Sequence, residues 1–79
     1  VGVAHIHLTR STDATVYVAL DLAIVAAVVV RCGAGWEARC YYGPDEYEAT
    51  IATSRETAEA DALRYAIRLA GPVEAVRRD

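Results

Sequence analysis

The chain has 79 residues, 54% of them apolar, and carries 8 basic against 11 acidic side chains for a net charge of −3. That apolar share excludes a disordered polymer, and the length fits one domain, residues 1–79, whose small core would gain from a second subunit. The acidic balance argues against a general nucleic-acid binder, which needs a basic stripe to displace counterions, and against an anionic membrane surface.

All eight basic residues are Arg, and Lys, Phe, Asn, Gln and Met are absent. Such usage is what a GC-rich genome produces, as in an actinobacterium or one of its phages. No charged, then apolar, then small-residue leader is visible, so no secretion signal is expected.

Residues 3–9 alternate, with Ala4, Ile6 and Leu8 on one side and His5, His7 and Thr9 on the other, which predicts a half-buried strand. Ser11-Thr12-Asp13-Ala14 has turn chemistry. Residues 15–20 alternate again, Val16, Val18 and Leu20 against Thr15, Tyr17 and Ala19, so a hairpin is the first choice. A helix over about residues 13–25 is the rival, since Ser11, Thr12 and Asp13 are good caps and Val16, Leu20, Ile24 and Val28 recur every four residues. The β-branched richness of this stretch favours strands. Asp21 interrupts the long apolar run, and the unbroken piece from Leu22 to Val30 is too short to cross a bilayer, so no membrane span is expected.

Residues 24–53 read as a three-strand meander. With Gly33-Ala34-Gly35 as the first turn, Cys32 faces Trp36, Val30 faces Ala38 and Val28 faces Cys40. With Gly43-Pro44-Asp45-Glu46 as the second, Tyr42 faces Tyr47, Cys40 faces Ala49 and Ala38 faces Ile51. These registers put Val28, Val30, Cys32, Trp36, Ala38, Cys40, Tyr42, Tyr47, Ala49 and Ile51 on a core side, and pair Arg31 with Glu37, Arg39 with Thr50 and Tyr41 with Glu48 on the other.

A helix comes next. Thr53 and Glu56 form a capping-box pattern with Ser54 as the alternative cap, and Gly71-Pro72 supplies a stop. Ala58, Ala62, Leu63, Ala66, Ile67, Leu69 and Ala70 share one broad face opposite Asp61, Arg64 and Arg68, and its small residues predict a close approach to the sheet. Glu59 falls inside that face, either as a first-turn acid reaching water at the rim or as a buried partner for a Tyr hydroxyl or an Arg; the rim is preferred. The tail from Val73 adds a short strand or frays. The expected class is therefore α+β, an antiparallel meander of four to five strands with one C-terminal amphipathic helix on one face; an α-β-β-β-α order is the alternative.

Chemistry-bearing patterns are few. His5 and His7 share a strand side, but the Cys spacing fits no common zinc pattern, and in the expected register Cys32 and Cys40 lie too far apart for a shared ion or a disulfide. Reduced thiols in a cytoplasm are the expectation. Gly33-Ala34-Gly35 is better explained by a hairpin turn than by a phosphate loop. No catalytic, metal or cofactor-binding residue is expected.

His7-Leu8-Thr9 resembles one copy of the His-x-Thr signature of the two-histidine phosphoesterases, whose chemistry takes one His as base and another as acid, so that enzyme would require a dimer. The helix, three strands, helix alternative has the order of double-stranded-RNA-binding domains. The strands-then-helix ending resembles small antitoxin and RNA-binding-like domains, without any of their motifs.

One anomaly remains. Residues 24–31 are apolar on both strand sides, and a strand apolar on both sides is normally covered on both. A second chain is one cover, and Val25, Val29, Arg31, Arg39, Tyr41 and Tyr17 are then the expected contact residues, a mixture of the kind enriched at interfaces. The functional expectation is a non-enzymatic protein-binding or self-associating module, such as a homodimer or a phage or actinobacterial modulator of a host protein. The alternatives are a nucleic-acid-associated regulator using Arg31, Arg39, Arg64 and Arg68, or a dimeric phosphoesterase built on His7.

Overall fold

A computed structural model describes residues 4–20, 22–70 and 73–77. Five antiparallel strands, β1 (Ala4–Arg10), β2 (Ala14–Ala19), β3 (Ile24–Cys32), β4 (Gly35–Tyr41) and β5 (Tyr47–Ala52), run as a meander, and one helix, α1 (Arg55–Ala70), packs on one face. The chain then returns as β6 (Val73–Arg77), parallel to β1 at the far edge, giving the sheet order β5-β4-β3-β2-β1-β6. The class is the expected α+β meander with a C-terminal helix. The alternative helix at residues 13–25 is not formed: β-branched residues there extend into β2 and the start of β3.

Ser54 caps the helix. The amide of Thr57 donates to Ser54 Oγ at 3.2 Å, and Ala58 N donates to Ser54 O. The Gly71-Pro72 stop and Asp21 lie outside the described residues.

Ala58, Ala62 and Ala66, four residues apart, are fully buried, as are Ala27, Val29 and Ala38 on the central strands. Eight of the eleven buried apolar residues are alanine, so the helix lies close on the sheet and the molecule is only 15 Å thick in its short dimension. Ile6, Tyr17 and Val29 are the large members, with Leu8, Trp36, Leu63 and Tyr65 packed at the margin.

The sidedness of β3 and β5 is the reverse of the expected one. The first turn has only two residues, Gly33 and Ala34, so Cys32 pairs with Gly35, Val29 with Ala38 and Ala27 with Cys40. Gly33 has φ of 58°, as the first central position of a type II′ hairpin turn requires. Gly35 belongs to the strand, where a Cβ would meet the carbonyl oxygen of Ala52 at 2.6 Å. The second loop is also one residue shorter, because Tyr42 N donates to Glu46 O and Tyr41 pairs with Tyr47. Each one-residue slip turns a strand over. Trp36, Ala38 and Cys40 keep their expected side, but Val28 and Cys40 project to opposite faces, and Tyr47, Ala49 and Ile51 leave the helix side to Glu48, Thr50 and Ala52.

A bulge adds a further inversion. β2 pairs Tyr17 with Ala27 but Val18 with Val25, leaving Ala26 as the extra residue, and both Ala26 and Ala27 are buried. Val25 is thereby moved to the face opposite Ala27 and Val29.

Candidate protein-binding face

The face away from the helix collects the larger aliphatic side chains. Val16 and Val18 on β2, Val25, Val28 and Val30 on β3 and Ile51 on β5 project there, with His5, His7 and Thr9 on one flank and Glu37, Arg39, Tyr41 and Tyr47 on the other. Among the described residues no element packs across this face, although Leu69 from the last turn of α1 reaches its edge. Val25 is 43% and Ile51 63% exposed, while Val16, Val18, Val28 and Val30 are half-buried by their neighbours in the sheet. Toward the β4–β5 loop the surface dips into a basin of about 710 Å³ lined by Val16, Ile24, Val25, Val28, Tyr41, Tyr42, Gly43, Pro44 and Leu69.

The rim of this face is polar and ordered. Arg39 Nε donates to Glu37 Oε2 at 3.1 Å, and its guanidinium lies 5.1 Å from the ring centre of Tyr47, which in turn packs on Tyr41 at 5.1 Å. The hydrogen bond to Glu37 raises the Arg39 pKa, so that cation persists at every accessible pH.

The six contact residues expected from sequence are divided by the sheet. Val25, Arg39 and Tyr41 lie on the open face. Val29, 0% exposed, lies beneath the helix because the two-residue turn sets β3 over in that direction, and Tyr17, 1% exposed and paired with Ala27, shares that side, whereas the bulge returns Val25 to the open face. Arg31 pairs with Trp36 on the helix side, its guanidinium 4.9 Å from the ring centre. Val16, Val18, Val28 and Val30 stand where Tyr17 and Val29 were expected.

Under the helix a polar cluster ties the β1–β2 turn to the start of α1. One carboxylate oxygen of Glu59 accepts from Thr15 Oγ1 at 2.7 Å, Arg10 Nε at 2.8 Å and Arg55 Nε at 3.2 Å, and Tyr17 Oη donates to the Glu59 carbonyl at 3.2 Å. Arg55 also donates to the carbonyls of Ser11, Thr12 and Ala14 and to Thr15 Oγ1, while stacking on Trp36 at 4.9 Å. The rim placement preferred for Glu59 is therefore replaced by the partnered one, with Arg and Thr on the carboxylate and Tyr on its backbone. Burial by itself would raise the Glu59 pKa, but the hydrogen bonds from Thr15 and Arg10 and the charges of Arg10 and Arg55 outweigh it and hold the carboxyl below its usual range. Burial first, and the Glu59 charge second, raise the Tyr17 pKa, so its hydroxyl stays a donor. Among the described residues no buried side-chain polar atom is left without a hydrogen-bond partner, so the cluster's bonds serve the fold, and the sequence signal for it was Glu59 within an apolar helix face.

The other candidate groups do not converge. Arg31 lies on the helix side, Arg39 on the open face, Arg64 on the outer helix surface bonded to Asp61, and Arg68 in the last helical turn. Cys40, beneath the helix, has its pKa raised by burial and by Asp61 and Glu48, whereas Cys32 is exposed at the hairpin tip; both are free thiols. His7, beside Val18, and Thr9 belong to the open face, and the sequence holds no second His-x-Thr. Among the described residues no group of three or more potential ligands is placed to hold a metal, and no helix is long and apolar enough to cross a membrane. Compared with protein families, curated proteins and solved structures, the chain matches none of them.

Proposed function

We propose that the protein is a non-enzymatic binding module that takes up another polypeptide on the open face of its sheet. The observation that carries this reading is the arrangement of Val16, Val18, Val25, Val28 and Val30 on a face across which no element packs among the described residues. Contiguous apolar surface rimmed by polar groups is the usual mark of a protein interface. An uncharged centre with Tyr and Arg around it has the composition of an interface core and its anchors. The 710 Å³ basin is wide enough to seat bulky apolar side chains of the partner. Such a module acts by occupying its partner's surface, and a modulator of a host protein, actinobacterial or phage-borne, is the setting that its composition suits.

A photo-crosslinking residue at position 28 tests this. Irradiation in the native cell should trap one discrete polypeptide adduct, and the same residue at Arg64, on the exposed outer surface of the helix, should trap none. Absence of an adduct from position 28, or equal adducts from both positions, overturns the reading.

A further inference from the structure

The edge strand β5 borders the valine face and leaves backbone groups unpaired along its outer side. Its residues Tyr47 to Ile51 are all exposed, and among the described residues no element pairs with its outer side. The turns decide which backbone groups point outward. Tyr42 N donates to Glu46 O across the β4–β5 loop, and antiparallel pairs alternate between bonded and non-bonded, so Glu48, Thr50 and Ala52 direct their amides and carbonyls to β4. The two-residue turn at Gly33-Ala34 gives the same parity, because bonding of Cys32 with Gly35 assigns the odd-numbered residues of β4 to β3 and the even-numbered ones to β5. Tyr47, Ala49 and Ile51 therefore present three consecutive unbonded N–H and C=O pairs at the sheet edge.

We infer that this edge pairs antiparallel with β5 of a second copy of the chain, with Ala49 opposite the Ala49 of that copy. This register engages all three outward residues: Ala49 with its equivalent, and Tyr47 with Ile51 in both directions. Tyr47 then packs on Ile51 on the open side, an aromatic and β-branched pair of the kind that stabilises sheets, while Glu48 faces Thr50 on the helix side. Centring on Glu48 instead would oppose two carboxylates. The preferred register also carries Asp45 and Glu46 of each copy alongside Thr53 and Ala52 of the other, next to the helix N-terminus whose dipole favours negative charge. The edge has no Lys, Pro or bulge of the sort that blocks such pairing. A two-fold axis normal to the sheet leaves both valine faces on the same side, doubling the surface offered to a partner.

Ala49→Pro is the discriminating variant, because it removes only an outward N–H, a kind of position in an edge strand where proline is tolerated. By light scattering the unaltered chain should have twice the 8.5 kDa chain mass and Ala49→Pro the single-chain mass, with unchanged circular dichroism. In the unaltered chain, amide exchange at Tyr47, Ala49 and Ile51 should slow with increasing protein concentration while that at Glu48 and Thr50 does not, a readout that needs no variant. A single-chain mass with concentration-independent exchange at Ala49 overturns the inference, as does a doubled mass that Ala49→Pro leaves intact. Val28→Asp should keep the doubled mass; its loss there, with Ala49→Pro unaffected, assigns association to the valine face instead of the edge.

Discussion

Replacing Glu59 with Ala removes the shared acceptor of the cluster beneath the helix, and the cost can be built up from its three donors. Thr15 is fully buried, and a hydrogen bond from a buried hydroxyl to a carboxylate contributes about 1.5 to 3 kcal/mol. Arg55, whose side chain is 13% exposed, keeps its bonds to the turn carbonyls, so losing the carboxylate costs it about 1 kcal/mol. Arg10, at 45% exposure, adds at most a few tenths, since solvent screens it. The loss is about 3 kcal/mol, which for a domain of this size lowers the melting temperature by roughly 12 to 24 °C. Glu59→Gln, which keeps an acceptor oxygen without the charge, should lose about half as much. The effect must also depend on pH. A carboxyl held below its unfolded pKa stabilises the fold fully above that unfolded value, near 4.5, and the contribution fades as pH falls through the folded value. Thermal melts followed by circular dichroism from about pH 7 down to about pH 3 should show the gap between the unaltered chain and Glu59→Ala smaller at the acid end, with the narrowing confined to pH below about 4.5. A gap that stays constant over that range, or a difference of less than about 3 °C at neutral pH, would falsify the account of Glu59 as a charged tie.

Ala62→Leu should destabilise by about 1 to 3 kcal/mol, because no space separates that fully buried position from the sheet, while Ala60→Leu on the exposed side of the same helix should be nearly neutral in urea titrations. Ala23 adopts φ of 57° with a Cβ, so Ala23→Gly should stabilise by about 1 kcal/mol, seen as a higher urea midpoint at unchanged slope. Gly35→Ala should cost more than Gly33→Ala, since a Cβ at position 35 meets the Ala52 carbonyl whereas one at position 33 meets open space and suffers only backbone strain; equal melting temperatures for the two would contradict the two-residue turn. Val28→Asp should cost about 1 to 2 kcal/mol, from the lower strand propensity of Asp at a half-buried site, while reducing fluorescence enhancement of an apolar dye, because that side chain faces the open side and not the core.

Element types were legible because several local signals agreed. Alternation over residues 3–9 and 15–20, β-branched content at Val16, Val18 and residues 24–30, and a cap residue before an alanine-rich stretch each pointed to the element that forms. The sidedness of β3 and β5 was not legible, since it depends on counting turn residues to within one. Gly33-Ala34-Gly35 can serve as a three-residue turn or as a two-residue turn followed by a glycine within the strand, and only the approach of Ala52 to Gly35 decides between them. The extra residue at Ala26 has no signature in an all-apolar run. That β3 is apolar on both sides was visible; which of its valines reach the surface was not. Glu59 stood out on the helical wheel, but its partners Thr15 and Arg10 are more than forty positions away in sequence and reach it only through the final packing.

The distribution of side-chain size between the two faces of the sheet has a thermodynamic consequence. Most of the buried apolar residues are alanine, whereas several branched aliphatic chains on the outer face keep part of their surface in water, so enclosing that face would remove further hydrocarbon from solvent. Occupancy by a partner and conformational stability are then linked quantities: apparent melting temperature should climb with partner concentration, and the isolated polypeptide should be the least durable form of the molecule.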